Sequence, residues 1–124
     1  MAEPHPDELK RIKEANPDRT VHTVFGENPE DKEDTLCFVM TSPTRDEIDK
    51  LDDEMLKAKT IANEGDRKKA IRKSAENAIL AQTKWPEREE MRRLLEIKPE
   101  MAFGLCEKVR EHAGAGYEFR SKKS

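Results

Sequence analysis

Hydrophobic positions along this chain change their period. Leu9, Ile12 and Ala15 fall three apart and predict a short helix over 6–16. Pro17 stops it, because the residue before a proline disfavours the helical region. Thr20-Val21-His22-Thr23-Val24-Phe25 is β-branched and aromatic and reads as a strand. Gly26 to Asp34 is polar and reads as a connection of about nine residues. Thr35-Leu36-Cys37-Phe38-Val39-Met40-Thr41 is a second strand, so the two form a β-hairpin. Two strands alone are seldom stable, which requires helices to cover a face or another chain to extend the sheet.

After Thr41 the period becomes helical. Ser42 or Thr44 can cap the next helix, and Thr44-Arg45-Asp46-Glu47 has capping-box spacing. Ile48, Leu51, Met55, Ala58 and Ala62 form one stripe, to about Asn63. Glu64-Gly65-Asp66 reads as a turn, with Asp66 as the cap of a second helix over 67–84. Ile71, Ala75, Ala78, Ile79 and Gln82 form its inner face, flanked by Leu80. Trp85-Pro86 breaks the run. A third, short helix turns Met91, Leu94 and Leu95 inward. Pro99 opens a fourth, where its missing N–H costs nothing. Ala102, Leu105, Cys106 and Val109 make its stripe and Gly114 its expected C-cap. The expected fold is α+β, mostly α: a hairpin over 20–41, then a bundle of about four helices over 44–114. A single domain spans 20–116, with a flexible segment at 1–19 and a flexible tail at 117–124.

Composition thins this picture. Leu, Ile, Val and Phe supply only 22 of 124 residues, and 41% of the chain is charged. A net charge of -3 argues against full disorder, so a lean core is expected. Such a core gains from a partner or from self-association. Charge is uneven: residues 1–54 hold 16 acidic and 7 basic side chains, and residues 55–124 hold 11 and 17. No apolar run reaches the roughly 20 residues of a membrane span. The opening segment is polar and acidic, unlike a secretory leader, so a cytoplasmic protein is expected.

The chemistry expected is that of binding. Cys37 and Cys106 both sit among apolar residues, without CxxC spacing, as buried free thiols. His5, His22 and His112 fall in different elements, and no ligand spacing supports a metal. His112 reads as a compensator of a helix dipole. No phosphate-cradling loop or activated nucleophile is present in the pattern, so neither an enzyme nor a cofactor is expected. Arg67, Lys68, Lys69, Arg72 and Lys73 form a basic segment suited to phosphates. The acidic first half and the lack of interleaved aromatic residues argue against nucleic acid.

Taken in order, these marks resemble the tail assembly chaperones of long-tailed bacteriophages and prophages. The matching residues are the preceding strand, Ser42-Pro43-Thr44-Arg45, Trp85-Pro86, Leu94-Leu95, Pro99 and Gly114, over about 20–116. Ser42 stands where that family often has arginine. The resemblance implies a non-enzymatic protein of the host-cell cytoplasm. It would bind the long helical tape measure protein and keep it soluble until the tail tube forms. Arg45, Met55, Trp85, Met91, Leu94 and Leu95 are the partner contacts expected. Trp85 reads either as a seal of the core or as an anchor for a partner. Two other readings stand beside this one: a small nucleic-acid-associated regulator using the helix at 67–73, and a structural virion component.

Overall fold

A computed structural model describes residues 3–115; the tail expected to be flexible, 117–124, lies outside them. The order is α1 (Pro6–Ala15), β1 (Val21–Asn28), β2 (Asp31–Thr41), α2 (Arg45–Lys59), α3 (Glu64–Gln82), β3 (Thr83–Trp85), α4 (Arg88–Ile97) and α5 (Met101–Arg110). A π-helical turn, Glu111–Ala115, continues α5. The fold is α+β and mostly α.

Three differences from the expected elements have local causes. The hairpin connection is short, because β1 extends to Asn28 and β2 begins at Asp31. Asn28 Oδ1 accepts from the Glu30 amide at 2.9 Å, and Asp31 Oδ1 accepts from the Glu33 amide at 3.0 Å. These side chains satisfy backbone groups at a hairpin tip whose polar residues face water. The helix expected over 67–84 begins at Glu64 with Asn63 as its cap, at 3.0 Å from the Asp66 amide. Glu64 and Asp66 thereby occupy its first turn, which offsets the basic run behind them. The same helix stops at Gln82, and Thr83–Trp85 forms a third strand, paired as Met40↔Thr83 and Val39↔Trp85. Pro86 drives Trp85 from the helical region, and the Trp85-Pro86 peptide is cis. Gly114 lies inside the π-helical turn and does not end the helix there.

The sheet has the order β1-β2-β3, antiparallel throughout, so β2 is central. Residues 36–41 are buried without alternation, as expected of a strand covered on both faces. Leu36, Phe38 and Met40 point into the main core with Leu51, Ile79, Met91, Leu94, Ala102, Leu105 and Val109. Cys37 and Val39 face the other way and are also buried. Ile12 of α1 is buried, outside the main cluster, so this short helix packs against the rest of the chain. Among the helices, α3 is central and touches both α2 and α5.

Candidate binding groove

Polar groups tie the sheet to α2 and α3. Thr44 and Glu47 complete the capping box: the Thr44 amide donates to Glu47 Oε1 at 2.9 Å, and the Glu47 amide to Thr44 Oγ1 at 3.3 Å. The buried Gln82 side chain donates to Glu47 Oε2 at 2.9 Å and accepts from Thr41 Oγ1 at 2.9 Å. Arg19 lies 2.9 Å from Glu47 Oε1. Burial alone would raise the Glu47 carboxyl. The Thr44 amide, Gln82, the Thr44 hydroxyl and Arg19 outweigh it and hold the carboxyl below its ordinary value. This carboxylate is engaged on both oxygens and serves as a structural hub.

The thiols are set for packing. Burial, with help from Glu3, raises Cys37, and burial raises Cys106 despite Arg110. Both are thus disfavoured as thiolates. Among the described residues no group of three or more metal-ligating side chains converges. His5 instead caps α1, accepting from the Asp7 amide at 3.1 Å.

One association escapes the sequence. His22 of β1 and His112, just past α5, stack with ring centroids 3.7 Å apart and planes at 9°. Burial, followed by the neighbouring His22, lowers the His112 pKa. The stack replaces the dipole role expected for His112. It ties the turn after α5 to β1. His22, Val24 and Gly26 share a strand face, while Met101, Leu105, Lys108 and His112 share a helix face.

Between these two faces lies a groove of about 300 Å³. Val24, Phe38, Met101 and Leu105 supply apolar walls, and Lys98, Lys108, Glu27 and Glu100 stand around it. Two glycines make the room. A Cβ at Gly26 would meet Phe38 Cε2 at 3.6 Å, whereas a Cβ at Gly104 would meet nothing within 4 Å. Phe25, on the same strand, is 57% exposed and pairs with Cys37 on the opposite face of the sheet. The outer edge of β1 has no neighbouring strand among the described residues.

The expected contacts fall elsewhere. Arg45 is exposed at the start of α2, and Met55 is half-buried against the core. Met91 is 0% exposed, Leu94 1% and Leu95 5%. Met91 and Leu94 therefore hold the core together and present no surface to a partner. Trp85 is half-buried beside β2, with Nε1 shut off from solvent and unpartnered among the described residues. Val24, Met101 and Gly104 line the groove and were not among the expected contacts; of these Gly104 carries a signal in the sequence, a glycine inside a helical stripe. No helix among the described residues is long and apolar enough to cross a membrane. No family model, curated protein or solved structure matches the chain.

Proposed function

We propose that this chain is a non-enzymatic tail assembly chaperone of a long-tailed phage or prophage, acting in the host cytoplasm. It binds the tape measure protein and keeps it soluble during tail assembly. The motif order over 42–114 supports the family reading. The observation that carries the binding role is the β1–α5 groove: apolar walls from Val24, Phe38, Met101 and Leu105, open space at Gly104, and beside it a strand with no outer neighbour among the described residues. A groove with apolar walls and charged surroundings suits an amphipathic segment, which buries its apolar side and keeps its polar side wet. High surface charge keeps the loaded complex in solution.

The nucleic-acid reading draws less support. Arg67 is spent on the Ile61 carbonyl at 3.2 Å, and Lys68 lies 3.3 Å from Glu64. Co-expression with a tape measure protein of a long-tailed phage tests the chaperone reading. The expected result is a soluble client that co-purifies with the chain. A client that stays insoluble and does not co-purify contradicts it.

A further inference from the structure

A second surface lies on the far side of α3. Between α3 and α4 opens a cleft of about 480 Å³. Its aliphatic part is Leu80, Leu95 and Pro99. Arg72, Lys73, Arg88 and Arg92 surround that part, against Glu76 and Glu96. The lining thus carries four cations and two anions, +2 on a chain whose net charge is -3.

These cations are poorly matched within the molecule. Lys73 and Arg88 have no ion-pair partner among the described residues. Among the described residues Arg92 reaches only Glu89, at 3.8 Å. Arg72 meets Glu100 at 3.5 Å, while its Nε is shut off from solvent without a partner. Arg93, elsewhere on α4, shows what a matched arginine does: Glu90 at 2.6 Å and Glu30 at 2.8 Å both engage it. A guanidinium with an orphaned buried N–H is short of an acceptor.

We propose that the α3–α4 cleft docks an acidic amphipathic segment of a partner protein. Aliphatic side chains of that segment cover Leu80, Leu95 and Pro99, and its carboxylates meet Arg72, Lys73, Arg88 and Arg92. Nucleic acid fits the same charges less well. The cleft lining holds no aromatic side chain for base stacking. Glu76 and Glu96 interrupt the track that a continuous phosphate backbone needs. Discrete carboxylates spaced by leucines avoid both problems.

The test is fluorescence anisotropy on the whole chain. The probe is a labelled helical peptide of about 15 residues, with Glu on one face and Leu on the other. Comparison probes carry Gln for Glu or Ser for Leu, and polyglutamate and duplex DNA complete the set. The expected result is binding of the Glu/Leu peptide alone. Lys73 and Arg88 are exposed, so the double variant Lys73→Glu/Arg88→Glu should keep the native circular dichroism and weaken binding about tenfold or more. Gly104→Gln, in the other groove, should leave this binding unchanged, which separates the two surfaces. No binding, equal binding of the Ser-for-Leu peptide or of DNA, or an unaffected double variant would each overturn the proposal.

Discussion

The Gln82 side-chain amide donates to the Glu47 carboxylate at 2.9 Å, joining the last residue of α3 to the first turn of α2. The same Gln82 accepts from Thr41 at 2.9 Å at the end of β2, so one buried amide joins sheet and helices. Gln82→Met keeps most of the volume and removes both bonds, while Thr41 Oγ1 keeps the Gln82 carbonyl at 3.3 Å and Glu47 keeps Thr44 and Arg19. Each lost hydrogen bond costs about 1 kcal/mol. The expected loss is about 2 kcal/mol, read as a lower urea midpoint with an unchanged slope. Thr44→Ala, which removes the cap alone, should cost about 1 kcal/mol.

Glu47 also sets an acid limit. Its carboxyl is held below the ordinary value, so the unfolded chain takes up the proton first as pH falls. Its contribution is complete above the ordinary carboxylate range and is lost as pH falls through the folded pKa. Urea midpoints measured downward from pH 6 should therefore fall less steeply in Glu47→Gln than in the parent.

The His22–His112 stack gives a separate, milder response. His112 is lowered by burial and by His22; Glu111 opposes this and Lys108 assists it. A histidine kept neutral in the fold stabilises fully above the ordinary imidazole range. That contribution is lost as pH falls through its folded pKa. His112→Gln should therefore flatten the stability profile between about pH 7 and 5.5. An unchanged slope there would show that the stack does not control this interface.

Gly104 separates stability from binding. A glycine inside a helix costs about 1 kcal/mol relative to alanine, and open space surrounds this one. Gly104→Ala should raise the unfolding free energy by about that amount. Gly104→Gln should keep most of the gain, since glutamine is also a good helix former, while its side chain fills the groove. Stability and client affinity then move in opposite directions.

Much of the fold was legible because it rests on local rules. The Thr44–Glu47 capping box, the stripes on α2 and α5 and the strand at 36–41 follow from period and capping chemistry alone. Thr83–Trp85 was obscured because the helical period of α3 runs up to it, and only pairing with β2 makes it a strand. The site was less legible for a related reason. Met91 and Leu94 are apolar whether they face a core or a partner, and burial separates the two. Val24 and Gly104 are 80 positions apart and join one groove only because α5 lies along β1.

The central claim is that the client docks in the β1–α5 groove. The most direct measurement is co-purification of the tape measure protein with the parent chain, Gly104→Glu and Gly104→Gln, each first shown to be folded by circular dichroism. The account predicts a complex with the parent and at least tenfold less client retained by either variant, a loss of about 1.4 kcal/mol. Equal recovery of client by all three chains would contradict it.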